Sequence, residues 1–173
     1  MLAQIIYSHQ IIANQFNKSN PEPPSKIGQS EKSLSKKFMI VTADKRASLA
    51  AKEILLAGGN ALDAAIAAQN VLSVVEPQSS GLGGGGFLLF FNNTDKKIYA
   101  YDGRETASSL VKSDMYLINN NKMKFIEAVQ KPFSVGVPGL YSMLADAHNK
   151  FGVLKWENLF ISAIQYSEGF EIG

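Results

Sequence analysis

The sequence predicts an α+β domain, and three observations carry that prediction. The stretch from Ala61 to Val75 has alanine or aliphatic residues on nearly every side, the pattern of a helix pressed between layers. Residues 87–91 (FLLFF) and 98–105 (IYAYDGRE) flank the polar turn NNTDKK and read as a β-hairpin. Helical spacing returns from Leu140 to Lys150 and from Leu159 to Ser167.

Composition narrows the class before any motif is considered. The chain has 173 residues, 46% hydrophobic and 18% charged, values that suit one globular domain or part of a larger one. A formal net charge of +2 makes no electrostatic case for nucleic acid or an anionic membrane. The lack of cysteine excludes a disulfide scaffold, a thiol nucleophile and thiolate metal sites. His9 and His148 lie too far apart to form a spaced metal motif, and no cofactor signature is present. No run approaches the roughly 18 apolar residues of a membrane-spanning helix.

Residues 1–37 differ from the rest and are expected to be a disordered tail or linker. Their second half is rich in Ser, Lys and Pro, with too few large apolar groups to offset the entropy of ordering. The first half, MLAQIIYSHQIIANQF, has an apolar stretch but no basic start, so a remnant signal peptide and a plain tail both remain open. The packed domain is expected over residues 38–173.

Within it, FMIVTA (38–43) reads as a short buried strand, and Ser48 to Ala57 as a helix with Leu49, Ile54, Leu55 and Leu56 available to its apolar face. Gly58 and Gly59 supply a left-handed cap. Asn60 then caps the alanine-rich helix, with Asp63 in its first turn. Pro77 ends that helix. FLLFF is apolar on both faces and is expected to be a central strand covered on both sides. Ser113 is expected to cap a short helix through Ile118, NNNK to turn, and Phe125 to Gln130 to form a second short helix. VGVPG turns the chain into the helix from Leu140, and the last helix closes at Gly169.

Two motifs invite chemistry. In GLGGGG (81–86) the glycines suggest an anion cradle, but phosphate loops run strand, loop, helix, whereas here the order is helix, loop, strand, with no lysine following. The alternatives are backbone conformations closed to other residues, close passage of another segment, or shaping of a cleft. Ser79 and Ser80 precede the loop without a patterned histidine or GxSxG, so they read as turn hydroxyls. Arg104 ends the hairpin between Asp102 and Glu105, and spacing alone allows a purely structural ion-pair network there.

Four segments in this order, GGNALDAAIAA (58–68), VVEPQSSGLGGGGF (74–87), DGRETA (102–107) and SVGVPG (134–139), resemble the N-terminal part of the large subunit of the γ-glutamyltransferases (γ-glutamyl transpeptidases, glutathione hydrolases). The resemblance runs from about Phe38 onward. It implies an incomplete N-terminal-nucleophile-hydrolase αββα sandwich whose central strands come from two subunits. It also implies that Arg104 binds the α-carboxylate of the γ-glutamyl group, a task suited to guanidinium's planar fork. Asp102 and Glu105 would then hold that fork. Asp44 and Lys45 depart from the His-Pro common at that point in the family.

In that family a precursor cuts itself, and the new N-terminal threonine of the small subunit attacks the γ-glutamyl amide with its own amine as base. Water or an acceptor amine then takes the glutamyl group. That threonine opens a Thr-Thr-His-x-Ser-Val-Val-Asp type motif, and Thr42, Thr94 and Thr106 all lack this context. The expectation is therefore no catalytic residue in these 173 residues, no metal, and no activity from this chain alone. Its expected partners are a γ-glutamyl substrate such as glutathione, in a complete enzyme, and a complementing chain carrying the remainder of the large subunit and the small subunit. The resemblance implies a periplasmic or secreted protein, with a cytoplasmic one also open. Two rival readings are an idle structural remnant of a split gene and a small glycine-loop binding module.

Overall fold

The computed structural model describes residues 34–171. The tail and signal-peptide readings fall mostly on residues 1–33, outside the described residues. The chain divides into two compact units, Met1–Met39 and Ile40–Gly173. The helices and strands of the described residues all belong to the second unit.

Helix α1, Lys45–Leu56, starts three residues before the expected Ser48. Asp44 explains the shift: its carboxylate accepts from the Arg46 backbone N–H at 2.7 Å and so caps the helix. Gly58 follows at φ 91°, the left-handed conformation that a Cβ disfavours. Helix α2, Ala61–Val75, matches the expected span. Asn60 accepts from the N–H groups of Leu62 and Asp63, and Asp63 reaches back to the Asn60 N–H, which closes a capping box.

Two apolar clusters meet on α2, which is why its sequence is apolar all round. Ala64, Ala68, Val71 and Val75 pack with Ala47, Ala50 and Ala51 of α1. Leu62, Ile66 and Ala67 pack on the other side with Leu140, Met143, Leu144 and Ala147. The small alanines let the α1 backbone approach closely. Asn70, buried on this helix, donates to the Leu159 carbonyl at 2.9 Å and accepts from the Tyr141 hydroxyl at 2.7 Å.

Strands β1 (Gly86–Asn92) and β2 (Lys97–Gly103) form the expected hairpin, with Phe87 opposite Asp102 and Phe90 opposite Tyr99. Its inner face, Leu88, Phe90 and Tyr101, lies against the second cluster. The outer face is bare: Phe87, Leu89 and Phe91 are 69, 76 and 55% exposed, and Ile98 is 70% exposed. FLLFF is thus covered on one side among the described residues, contrary to the two-sided expectation. Leu62, Ile66, Leu140 and Met143 belong to the cluster under that one face, and Phe87, Leu89 and Phe91 on the other stay exposed among the described residues. FMIVTA likewise forms no strand, because no strand among the described residues offers it a hydrogen-bonded partner.

The segment expected as a helix through Ile118 is instead a turn leading to a tiny hairpin. Strand β3 (Leu117–Ile118) pairs with β4 (Asn121–Lys122). Asn119 and Asn120 take φ of 50° and 61°, the double left-handed turn that asparagine tolerates best after glycine. Helix α3 is short, Phe125–Ala128, and α4 runs Leu140–Phe151. The last element begins earlier than expected, as a 3-10 turn over Trp156–Phe160, and continues as α5, Ile161–Ser167. Among the described residues, no helix is long and apolar enough to cross a membrane.

Candidate functional site

Three of the sequence motifs converge where β2 ends. Gly84 C=O accepts from the N–H groups of Gly139 and Leu140, at 3.3 and 3.2 Å. The glycine loop therefore caps the N-terminus of α4 with a carbonyl, and those two N–H groups are already engaged. That arrangement disfavours the phosphate-cradle reading, because these donors point at protein.

None of the loop glycines has a positive φ, so conformational freedom does not explain them. Close approach explains Gly85 and, less tightly, Gly86. A Cβ on Gly85 would lie 2.5 Å from a Glu105 carboxylate oxygen and 2.8 Å from the Glu105 backbone nitrogen. On Gly139 it would lie 2.4 Å from the Gly103 carbonyl oxygen, and on Gly103 2.7 Å from Met143 Cβ. The three segments interlock with side-chain-free surfaces.

Arg104 emerges from this junction with its side chain 68% exposed. Its backbone N–H donates to Asp102 Oδ1 at 2.9 Å, which fixes the bend at the strand end. Asp102 thus holds the main chain of Arg104, whereas Glu105 Oε2 stands 3.6 Å from the guanidinium Nη1. Arg104 lines two cavities, of about 560 and 570 Å³. The first is walled by Val111, Met115, Tyr116 and Phe133, whose last two rings meet edge to face at 5.5 Å. The second reaches Gln69, Ser79, Ser80 and the glycine loop.

Ser80 behaves differently from a simple loop hydroxyl. Its Oγ accepts from Gln69 Nε2, while the backbone N–H groups of Ser79 and Ser80 both donate to the Glu76 carbonyl. Tyr116 and Phe133 carry no signal in the sequence, since they belong to a stretch without clear periodicity. The charged chemistry here is one exposed guanidinium beside one carboxylate, and among the described residues no nucleophile–base pair stands beside them.

Asp63 was legible only as a capping residue. It is fully buried and also accepts from the N–H groups of Val153 and Leu154, at 3.1 and 3.2 Å, with His148 Nε2 3.6 Å away. This cluster fastens α2 to the end of α4 and lies outside both cavities.

Comparison with known proteins agrees with the four motifs. The family model described as gamma-glutamyltranspeptidase matches residues 47–173. The chain is 37% identical over 160 residues to the glutathione hydrolase proenzyme of Bacillus subtilis, covering 91% of this chain and 27% of that protein. Glutathione hydrolase 3 of Arabidopsis thaliana is 38% identical over 135 residues, covering 78% of this chain and 20% of its own length. Among solved structures, the gamma-glutamyltranspeptidase of Pseudomonas nitroreducens complexed with L-DON superposes with a TM-score of 0.70 at 36% identity, over 75% of this chain and 38% of that one. The Helicobacter pylori enzyme gives a TM-score of 0.71 at 28% identity, over 79% of this chain and 39% of that one. The chain therefore spans about a quarter of the length of the curated relatives it matches, as an α+β portion of their N-terminal-nucleophile-hydrolase fold. With its family model matched over residues 47–173, the chain belongs to the γ-glutamyltranspeptidase family.

Proposed function

We propose that this chain supplies the carboxylate-binding part of an enzyme that cleaves γ-glutamyl amides such as glutathione and passes the glutamyl group to water or an amine. The observation that carries the reading is the exposed Arg104 guanidinium, held at a strand end by Asp102 and facing open cavities. A planar fork without a bidentate partner among the described residues suits a substrate carboxylate, which it would grip through two parallel charge-assisted bonds.

Arg104 orients the substrate and does none of the covalent chemistry. The attacking threonine, its amine and the oxyanion donors would come from a complementing chain carrying the rest of the large subunit and the small subunit. Residues 1–173 alone would then be inactive, because gripping one end of a substrate supplies no nucleophile. The domain boundary near residue 38 and a periplasmic or secreted location, with a cytoplasmic one as the alternative, belong to the same reading.

A second reading, an idle structural remnant, draws on the bare outer face of the hairpin. Labelled L-glutamate and the full-length chain, isolated with whatever accompanies it, separate the two in equilibrium dialysis. Binding that falls at least tenfold in Arg104→Ala supports the carboxylate site. Binding equal in both proteins, or absent from the parent, removes it.

A further inference from the structure

We propose that Gly85 and Gly136 form the two walls of a slot that seats the Glu105 side chain, and that this slot is the positioning element for Arg104. It rests on the carboxylate-binding role proposed for Arg104 and adds residues that this role does not include.

Three observations point to the slot. A Cβ on Gly85 would meet Glu105 Oε2 at 2.5 Å, Cδ at 2.8 Å and the backbone nitrogen at 2.8 Å, and one on Gly136 would meet Glu105 Cβ at 2.8 Å. Glu105 is thus held at its carboxylate and main-chain nitrogen by the glycine loop and at its Cβ by the VGVPG segment. At the two preceding glycines the space is free: a Cβ on Gly83 would meet nothing within 4 Å, and one on Gly84 nothing nearer than 3.4 Å. The tight approach to Glu105 is thus at Gly85, whereas a Cβ on Gly86 would meet Leu140 Cδ1 at 3.1 Å instead. Finally, Glu105 is the carboxylate beside the Arg104 guanidinium, at 3.6 Å.

The ion pair by itself is a weak fixative. Arg104 is mostly exposed, and exposed pairs contribute little because water screens them and the side chains lose entropy. A slot that removes the freedom of Glu105 leaves only Arg104 to be ordered. Seated carboxylate and backbone bend then aim the guanidinium together. Gly85 thereby acts through Glu105, and shape matters more than the charge of the seated group.

The test again uses L-glutamate as probe on the assembly isolated through the full-length chain, with dialysis and a thermal melt run on each variant. Gly85→Ala is expected to weaken binding about tenfold, with Glu105→Gln, which keeps the shape, within about threefold of the parent. Leu82→Ala, in the same loop but exposed and outside the slot and both cavities, is expected to bind as the parent does. Gly136→Ala enters the slot from the other wall and serves if Gly85→Ala does not fold. Parent-like binding by both glycine variants, or an equal loss in Leu82→Ala, overturns the slot while leaving the Arg104 role intact. Parent binding that is indifferent to Arg104→Ala overturns both, and so is told apart.

Discussion

Thr106 and Val137 exchange both backbone hydrogen bonds, the Thr106 N–H donating to the Val137 carbonyl at 3.2 Å and the Val137 N–H to the Thr106 carbonyl at 2.8 Å. This isolated antiparallel bridge ties the segment after Arg104 to the VGVPG turn, two stretches that share no secondary-structure element. It holds the floor of the site in place. Val137→Pro deletes one donor and is expected to cost about 1–3 kcal/mol of stability, the range for a lost bond that strands its partner. A urea melt of the variant beside its parent checks this, and an unchanged midpoint would count against it.

Arg104→Lys keeps the charge and discards the fork. Lysine offers a compact ammonium where a carboxylate needs two parallel donors, so the substitution is expected to lose about tenfold in affinity for L-glutamate. Equal affinities would mean that Arg104 acts only as a point charge.

Asp63 is the residue whose loss the fold should feel most. Its carboxylate receives N–H groups from Asn60, Val153 and Leu154 at zero exposure, so Asp63→Ala strands several donors at once. We expect a loss of about 3 kcal/mol or more, since each buried orphan costs about 1–3 kcal/mol. His148→Ala, which leaves those three bonds in place, is expected to cost less. Chemical denaturation of the two variants gives the comparison directly.

The acid side of the stability curve should reflect Asp44. The Arg46 guanidinium, hydrogen-bonded to it at 2.6 and 2.9 Å, holds its carboxyl below the usual aspartate range. A lowered folded-state pKa means that this stabilisation is complete above the ordinary aspartate value. It is lost as pH falls through the lowered one. Asp44→Asn should therefore lower stability at neutral pH and flatten its dependence at the acid end. Thermal melts from pH 7 downward would show parallel curves if the pair contributes nothing.

How much of this was legible depended on whether the signal was local. Asn60, Gly58 and the apolar α2 announce themselves because capping and periodicity involve residues within a turn or two. Arg104 stands out through motif order and resemblance, and its setting between two cavities is not visible from spacing. The turn at NNNK is legible from its polar residues, but the left-handed φ values of Asn119 and Asn120 are not, and neither is the strand pair that replaces the helix expected through Ile118. The Glu105 slot and the long reach of Asp63 to Val153 and Leu154 join residues far apart in sequence, so no window along the chain contains them. FLLFF shows the converse: its two-sided apolar pattern calls for cover that the described residues do not supply on the outer face.

That bare face gives a further expectation. A double variant, Leu89→Ser with Phe91→Ser, should make the chain more soluble by itself, because it breaks an exposed apolar patch. It should also reduce recovery of any complementing chain. Sedimentation of both preparations, with the accompanying protein quantified, reads the two effects together. Unchanged behaviour in both would mean that the face has no such role.

The proposed function requires a nucleophile from outside residues 1–173 that reaches Arg104. Intact-mass and N-terminal analysis of whatever co-purifies with this protein from its native cells tests that requirement most directly. A stoichiometric partner that begins with threonine is expected, with activity toward a γ-glutamyl anilide only when that partner is present. The chain recovered alone as a monomer with a sharp cooperative melt, or active with no second chain, would contradict it.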